Sequence, residues 1–590
     1  MAAAAKAPAP ARAIQASRSG RNSNKGGVAS LALAWLQLAL TYDNARTAVF
    51  LVVVVRYLDR LLRHLKVYGL TASLHQVYRA ISARAFALLL KTPAAKRKVN
   101  RELRDAMKDV EAKIVPRPKH IESQHRLPVL GKETEWLRSE LAKLQKMEAG
   151  GVDANTVATL WQMRDGQSVW KDGKVSGAVY HGGDDLSDLV SETIKAFLLT
   201  NPLHPDVFPG VRKMEAEVVQ MALRMYNAPE TGAGATSSGG TESILLACLA
   251  MREWGRRTKG ITEPELVVPV SVHAAFDKAS TYFGIKIHHI PVDPVTRKVK
   301  LGRVARAINR NTIGLVGSAP NFPDGVIDDI PSLGVLAKKH NILLHVDCCL
   351  GSFLVPFLEK AGFPSEPFDF RVEGVTSISC DTHKYGFGPK GLSTILYRTS
   401  ELRRFQYYVK TDWPGGVYAT PTLSGSRPGS IIAGTWTAMM KLGESGYTQS
   451  CRDIVGAAKT IASRIETEVP DLYVLGKPLV SVVAFASRPG TTVSIYDVGD
   501  GMSARGWHMN GLSGDISAIH IAVTRLTVPV VDEFISDLKQ VTAEARKKAG
   551  KKEGGKEGSM KALYGLGTGV SAGMVIGELA SRFIDTLYLV

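Results

Sequence analysis

From about residue 200 onward, short apolar, β-branched runs alternate with stretches whose apolar positions recur at helical spacing. The clearest runs are LVVPVSV at 266–272, TIGLVGSA at 312–319, ILLHVD at 342–347 and TSISCD at 376–381. Strands that alternate with helices indicate βα units and a mostly parallel sheet covered on both faces. We therefore predict an α/β fold whose active site lies at the carboxyl ends of the strands.

The apolar pattern is different near the N-terminus. VASLALAWLQLAL at 28–40 and TAVFLVVVV at 47–55 are both shorter than the roughly 18 residues that mark a spanning helix. The second run continues into RYLDRLLRHLKVYGL, where leucines recur at helical spacing between basic residues. We predict a helix from Asp43 that crosses a bilayer once, with an interfacial amphipathic helix and an organelle transit peptide as alternatives.

The length and composition of the chain predict several segments, because 590 residues are too many for one domain with a single hydrophobic core. The predicted segments are a disordered basic N-terminus (1–42), a membrane anchor (43–66), a helical linker and N-terminal segment (67–195), a large domain (196–450), a small C-terminal domain (451–545) and a charged linker with a C-terminal tail (546–590). The large domain contains the alternating strands and helices, so it is where we expect the chemistry.

Charge and cysteine content narrow the class of protein. The formal net charge is +19, and residues 1–42 contain no Asp or Glu. No basic stripe with interleaved aromatic residues occurs in the central region, so a basic flank beside an acidic membrane fits better than nucleic-acid binding. The five cysteines are irregularly spaced and form no CxxC pair, which disfavours both a disulfide framework and a zinc site and indicates a reducing compartment.

Two polar residues follow the ends of predicted strands. Asp347 ends ILLHVD, and Lys384 follows TSISCD in the stretch SISCDTHKYGFGPKG. An amine at this edge can form a Schiff base with an aldehyde cofactor, and a carboxylate can keep a pyridine nitrogen protonated. Singly, a strand-end Asp is more often a cap and a loop Lys more often solvated. Together they point to pyridoxal phosphate.

A glycine-containing turn, TSSGGTESILLACLA at 236–250, precedes an apolar helix. Backbone N–H groups at a helix N-terminus bind phosphate, and glycine lets the ligand approach closely. Ser238, Gly240 and Thr241 would hold the cofactor phosphate, with an ordinary capping box by Thr241 or Ser238 as the alternative. His273 follows LVVPVSV and could stack on a planar ring, although a lone His is more often structural.

These motifs together resemble the fold-type I pyridoxal-phosphate enzymes, and more closely the sphingosine-1-phosphate lyase family of eukaryotic, fungal type among the group II decarboxylase-like enzymes. The resemblance covers roughly residues 95–545. Its motifs, in chain order, are NPLHPDVFPGVRKMEAEVV, TSSGGTESILLA, HAAFDKA, APNFPDGVIDDI, HVDCCLGSF, SISCDTHKYGFGPKG and TDWPGGVYATPTLSGSRPG. The chain departs from the pattern at Cys348, Cys349 and Cys380, where small residues such as Ala are usual.

The resemblance implies fold type I, with a mostly parallel central sheet between helices, a smaller α+β C-terminal domain and an N-terminal anchor helix. Lys384 would carry the Schiff base, Asp347 would hold the pyridine nitrogen and His273 would stack on the ring. The remaining cofactor contacts would be Ser238, Gly239, Gly240, Thr241, Thr382 and Ser426. The ligands of the substrate phosphate would be Tyr180, His204 and Lys390.

The implied reaction is a retro-aldol cleavage of the C2–C3 bond of a phosphorylated long-chain sphingoid base, which gives a long-chain aldehyde and phosphoethanolamine. His383, Lys384 or Tyr180 would be the base. A loop containing Ser426 and Arg427 would be donated across a homodimer interface, and the enzyme would be a single-pass endoplasmic reticulum membrane protein whose catalytic domain faces the cytosol. The alternatives are an amino-acid decarboxylase of the same fold and a non-catalytic membrane scaffold.

Overall fold

The computed structural model describes residues 42–90, 101, 169–549, 580–581 and 584–585. The chain divides into two compact units, 1–76 and 77–590. The predicted apolar run at 28–40, the basic N-terminus before Tyr42 and most of the C-terminal tail lie outside the described residues.

Helix α1 spans Tyr42–Leu90 and is interrupted at Gly69, whose φ of 79° and ψ of 167° are not helical. Many of its apolar side chains are exposed, including Phe50, Val53 and Tyr57. In the described part of the chain, no helix is both long enough and apolar enough to cross a membrane. The span over 43–66 therefore stays a prediction.

The centre of the second unit is a seven-stranded sheet with the strand order β1-β7-β6-β5-β4-β2-β3. Its strands are β1 Ala233–Ser237, β2 Glu265–Pro269, β3 Lys286–Ile290, β4 Thr312–Ser318, β5 Leu343–Asp347, β6 Ser377–Cys380 and β7 Ser393–Tyr397. Within this sheet, β7 alone runs opposite to the other six strands, so the predicted mostly parallel sheet is confirmed.

Helices precede β1, follow most strands of this sheet and continue after β7. They are α2 Asp184–Ala196, α3 Pro209–Met225, α4 Gly240–Lys259, α5 Ala275–Phe283, α6 Leu301–Ala307, α7 Ile330–His340, α8 Ser400–Arg404 and α9 Gly429–Glu468. Short 3-10 turns occupy Val169–Asp172, Val355–Phe357 and Val528–Val530. Among these elements α4 has a central place, because its start contributes to the site.

The buried faces of α4 explain why its N-terminus is held rigidly against the sheet. Ile244 and Met251 pack in one core cluster with side chains of β2, β4 and α5, such as Phe276. Leu246 and Ala250 pack in a second cluster with β1 and β7. Each fully buried large side chain contributes about 1.5–3 kcal/mol.

A smaller antiparallel sheet of four strands follows in the chain, with the order β10-β11-β13-β12. Between the two sheets, β8 Tyr408–Trp413 and β9 Gly416–Thr420 form a separate hairpin. The small-sheet region consists of β10 Leu472–Val474, β11 Val482–Ser487, α10 Ile495–Ala504, β12 Asn510–Leu512, β13 Ala518–Ala522 and α11 Val531–Ala549. The boundary predicted between 450 and 451 falls inside α9, which runs from the large-sheet region toward the small one.

Candidate active site

Lys384 lies in the loop after β6 and borders two cavities. The helix cavity, about 360 Å³, contains the start of α4, and the tyrosine cavity, about 320 Å³, contains Tyr180. The Nζ atom of Lys384 lies 2.9 Å from Oδ2 of Asp381. Burial alone would lower the pKa of the Lys384 amine, but the negative charge of Asp381 raises it well above its usual range.

The helix cavity brings together most of the predicted cofactor contacts. It is lined by Ser238, Gly239, Gly240, Thr241, Glu242, Ile244, His273, Cys349, Asp381, His383 and Lys384. A Cβ atom on Gly240 would lie 2.8 Å from both Oδ1 of Asp381 and Sγ of Cys349. A side chain at this position would therefore collide with two residues that line the cavity. The glycine therefore keeps space at a helix N-terminus where a phosphate group binds well.

The capping-box alternative for this turn, with Thr241 or Ser238 as the cap, is wrong. The N-cap of α4 is Gly239, and no side chain caps it. Instead Glu242 reaches back, and its Oε2 accepts a hydrogen bond from the backbone N–H of Ser238 at 2.7 Å. The hydroxyls of Ser238 and Thr241 are thus not used as caps, which leaves them for a ligand in the helix cavity.

Asp347 ends β5, and two neighbours fix its side chain. Its Oδ1 accepts hydrogen bonds from the Cys349 N–H at 3.1 Å and from the Ser379 hydroxyl at 3.0 Å. Among the described residues its Oδ2 has no hydrogen-bond partner, and Cys349 lines the helix cavity. A carboxylate with one oxygen fixed and the other open fits the protonated nitrogen of a pyridine ring.

A buried histidine behind Asp347 keeps the Ser379 hydroxyl oriented. Nε2 of His345 lies 3.2 Å from the Ser379 Oγ, and Nδ1 lies 2.9 Å from the Ser377 Oγ. Burial lowers the pKa of His345 to about 4, although the Asp347 charge opposes this. The imidazole is therefore neutral. Because Ser379 donates to Asp347, the Nε2 atom carries the ring proton and donates to Ser379.

Two of the three predicted site histidines, His273 and His383, have fixed ring orientations. Nδ1 of His273 accepts the backbone N–H of Ala275 at 3.1 Å, which anchors the ring at the start of α5. Nδ1 of His383 lies 2.6 Å from the Leu392 carbonyl oxygen, so this nitrogen carries the proton and Nε2 is left as an acceptor. A Cβ atom on Gly239 would lie 3.6 Å from Cε1 of His383. His383 therefore lies beside the phosphate-binding turn.

The tyrosine cavity places Tyr180 and Lys390 beside Lys384. The Nζ atom of Lys390 lies 4.6 Å from the centre of the Tyr180 ring and donates to the His383 carbonyl oxygen at 3.3 Å. Burial and the charge of Lys384 lower the pKa of Lys390. Burial raises the pKa of Tyr180 to about 12, so its phenol keeps its proton at neutral pH.

One side of the tyrosine cavity is apolar. Leu186, Val190 and Ile194 of α2 contribute to its lining, one helical turn apart. Polar groups at one end and aliphatic side chains along the other suit a molecule with a charged head and an alkyl chain.

Besides Asp347, three predicted site residues line neither cavity. Thr382 is buried and donates its hydroxyl to the Leu392 carbonyl at 2.9 Å. His204 and Ser426 are exposed. Ser426 accepts a hydrogen bond from Asn201 at 3.0 Å, so its loop and the loop that contains His204 lie together. The roles assigned to these three residues stay predictions.

Sequence reasoning missed Asp381, which pairs with Lys384 and lies 3.7 Å from Nε2 of His383. The signal was present, because Asp381 stands three residues before Lys384 at the end of a strand. The sequence analysis also gave no functional role to Cys349, which lines the helix cavity. Burial raises the pKa of the Cys349 thiol well above its usual range, and all five cysteines are buried free thiols.

Residues 162–488 match the model of the pyridoxal-dependent decarboxylase conserved domain. The chain is 45% identical over 549 residues to the sphingosine-1-phosphate lyase of Saccharomyces cerevisiae, covering 93% of this chain and 89% of the relative. It is 40% identical over 528 residues to sphingosine-1-phosphate lyase 1 of Rattus norvegicus, with 88% and 87% covered.

Among solved structures, the sphingosine-1-phosphate lyase of Burkholderia pseudomallei matches with a TM-score of 0.65 and 38% identity, covering 73% of this chain and 95% of the other. The cofactor predicted from Lys384 and Asp347 is the one used by the matched decarboxylase domain. With these relatives and this site, the chain belongs to the pyridoxal-phosphate-dependent decarboxylase family and, within it, to the sphingosine-1-phosphate lyases.

Proposed function

We propose that this chain cleaves the C2–C3 bond of a phosphorylated sphingoid base at Lys384, releasing a long-chain aldehyde and phosphoethanolamine. The observation that supports this proposal best is the position of Lys384 between two cavities. The helix cavity fits the cofactor, and the tyrosine cavity offers a lysine and a phenol to a phosphate and an apolar wall to an alkyl chain. Lys384 is thus in reach of both partners.

The cofactor would be held at both ends by this chain. Gly240 and Thr241 at the start of α4 would bind its phosphate, and Asp347 would hold its ring nitrogen. His273 would cover one face of the ring. When bound, pyridoxal phosphate supplies an aldehyde for an amine and a ring that withdraws electrons from the C2–C3 bond.

Proton transfer would then fall to Lys384. Tyr180 keeps its proton at neutral pH, because its pKa is raised to about 12, so it would donate a hydrogen bond instead of acting as a base. His383 faces the phosphate-binding turn. In its neutral form the Lys384 amine would accept the proton of the C3 hydroxyl as the aldehyde leaves. The charge of Asp381, which raises the pKa of this amine, would stabilise the ammonium group that forms. The carbon left behind at C2 would take up a proton before phosphoethanolamine leaves.

Product analysis tests this proposal against an amino-acid decarboxylase of the same fold. The cofactor-loaded protein, incubated with a phosphorylated long-chain base, should release phosphoethanolamine and long-chain aldehyde in equal amounts. With amino acids it should release no carbon dioxide above a protein-free control. Carbon dioxide release without phosphoethanolamine would contradict the proposal, and absence of both activities together with absence of bound cofactor would favour a scaffold.

Substitution of Gly240 by alanine tests the phosphate-binding turn. The new Cβ would meet Asp381 Oδ1 and Cys349 Sγ at 2.8 Å, and such overpacking costs about 1–3 kcal/mol. We expect the affinity for pyridoxal phosphate, measured by equilibrium dialysis, to fall about 10- to 100-fold. Gly302→Ala is the matched control, because nothing lies within 4 Å of a Cβ atom there. Equal affinities for the two variants would contradict the assignment.

We also propose that the enzyme works as a homodimer. The hairpin β8–β9 exposes Tyr408, Val409, Trp413 and Val417 by more than half of their surfaces. Exposed apolar patches of this kind mark interaction sites. Ser426 follows this hairpin, in a loop that the resemblance assigns to the interface. Sedimentation analysis of the purified protein would disprove this proposal if it found only monomer.

Membrane attachment at the endoplasmic reticulum, with the catalytic region facing the cytosol, is proposed from α1. The helix exposes apolar side chains such as Phe50, Val53 and Leu61, and basic residues follow them. An enzyme held at a bilayer would meet a substrate whose alkyl tail lies there. Extraction of membranes at alkaline pH separates the alternatives, because it releases an interfacial helix and leaves a spanning one in place. Fluorescent fusion imaging tests the organelle, and protease protection of the intact membranes tests the orientation.

A further inference from the structure

His181, at the rim of the tyrosine cavity, faces more hydrogen-bond donors than it can satisfy. The backbone N–H of Gly183 lies 3.0 Å from its Nδ1, and Nη1 of Arg525 lies 3.1 Å from its Nε2. Burial and the positive charge of Arg525 lower the pKa of His181 to about 4, so the ring is neutral at pH 7. A neutral imidazole has one acceptor nitrogen and one N–H. One donor therefore faces another donor, and protonation of the ring would add a second conflict.

The guanidinium of Arg525 also lacks a counter-charge. Within residues 169–549, no carboxylate lies within 4.0 Å of Arg525, and the same is true of Lys390. Both residues contact the segment formed by Tyr180 and His181. The Lys390 amine lies 4.6 Å from the phenol ring, and the Arg525 backbone N–H donates to the Tyr180 carbonyl oxygen at 3.2 Å. An unpaired guanidinium at His181 and an unpaired amine at the neighbouring Tyr180 form a site for an anion.

The backbone that carries Arg525 is fixed against the segment that carries His181. The N–H of Gly177 donates to the Ala522 carbonyl at 3.1 Å, and the Ala522 N–H donates to the Ser176 hydroxyl at 2.8 Å. A Cβ atom on Gly182, whose φ is +71°, would lie 2.7 Å from the Leu526 side chain. The end of β13 and residues 176–182 thus pack closely, so the fold fixes the backbone position of Arg525, and the contact with His181 orients its guanidinium.

We propose that Arg525 and His181 bind the phosphate monoester of the substrate together with Lys390 and Tyr180. This inference rests on the proposed function, which places the substrate phosphate at Lys390. A phosphate oxygen between the guanidinium and the His181 ring would accept from Arg525 and from the ring N–H on Nε2. Nδ1 would then accept from Gly183, and every donor would have an acceptor. Arg525 and His181 thereby become specificity-determining residues for phosphorylated bases.

The test measures binding of phosphoethanolamine to the cofactor-loaded, full-length protein by calorimetry, with inorganic phosphate as a second ligand. A charge-assisted hydrogen bond contributes about 1.5–3 kcal/mol, so Arg525→Gln should weaken phosphoethanolamine binding at least about tenfold. Arg525→Lys should give an intermediate loss of affinity, because lysine keeps the positive charge but lacks the paired N–H donors of the guanidinium. Arg488→Gln should leave the Kd unchanged, because among the described residues the Arg488 guanidinium bonds only to Glu466 and lies outside the lining of the tyrosine cavity.

Each outcome has a defined meaning. Unchanged phosphoethanolamine binding in Arg525→Gln overturns the inference, and so does a loss confined to inorganic phosphate, which would make this a site for a free anion. A Lys390→Met variant separates this failure from failure of the proposed function. If Lys390→Met weakens binding and Arg525→Gln does not, only the inference fails. If neither variant weakens binding, the proposed phosphate position at Lys390 fails as well. A melting temperature equal to that of the unmodified protein confirms that Arg525→Gln is folded.

Discussion

Replacing Lys384 by alanine should reduce turnover of a phosphorylated sphingoid base at least about 1,000-fold, because both covalent attachment and proton transfer depend on its amine. The amine borders both cavities, and within the described residues no other lysine does so. Cofactor binding should fall much less, since the start of α4, His273 and Asp347 remain in place. The chemistry, more than the binding, should therefore be lost.

The measurement combines single-turnover release of phosphoethanolamine with the visible absorbance of the bound cofactor. Lys339→Ala is the matched control, because Lys339 is an exposed lysine in α7 that lines neither cavity. The control should keep full turnover. If Lys384→Ala also kept it, Lys384 would not carry the reaction, and the assignment of the site would be wrong.

The two residues at the strand ends could be predicted from the sequence, because each follows a short apolar run that is itself recognisable as a strand. The run ILLHVD ends at Asp347 and TSISCD is followed within a few residues by Lys384, so a parallel sheet brings both to one edge. The helix N-terminus at Gly240 was equally local. At each of these positions the apolar pattern predicts the strand or helix, and the end of that element places the neighbouring polar or glycine residue at the edge of the sheet.

Interactions between distant segments could not be predicted in this way. His181 and Arg525 are separated by 344 positions and meet because the end of β13 packs against residues 176–182. The Oε1 atom of Glu242 accepts the backbone N–H of Leu423, 181 positions away. No periodic signal in the sequence encodes such pairings. The role of Asp381 was hidden for another reason, because an aspartate at a strand end most often serves as a cap.

Asp381→Asn should change the chemistry of Lys384 while preserving the shape of the site. Burial alone would raise the pKa of Asp381, but the charge of Lys384 holds it below its usual range, so it is ionised at neutral pH. It in turn holds the Lys384 amine protonated. Asparagine has nearly the same volume and no charge. The pKa of Lys384 should therefore fall, and more of its amine should be neutral at pH 7.

The expected result is a change in cofactor reconstitution as well as in turnover. Only a neutral amine attacks an aldehyde, so the pH at which the cofactor-free protein begins to react with pyridoxal phosphate should move to lower values in Asp381→Asn. Turnover should fall about 100-fold, because the carboxylate no longer positions Lys384 or supports it in holding a proton. A merely structural Asp381 would lower stability without moving the pH profile.

Asp328→Asn supplies the control for replacing a buried carboxylate. Asp328 is fully buried, burial raises its pKa to about 6, and its Oδ2 accepts the Ser318 N–H at 2.9 Å, away from both cavities. It should lower the melting temperature and leave the reconstitution profile unchanged. If Asp381→Asn instead shifted the profile to higher pH, or left it unmoved while reducing turnover, the ion pair would not govern Lys384. The low turnover would then have to come from distorted geometry, which the conservative replacement Asp381→Glu would reproduce.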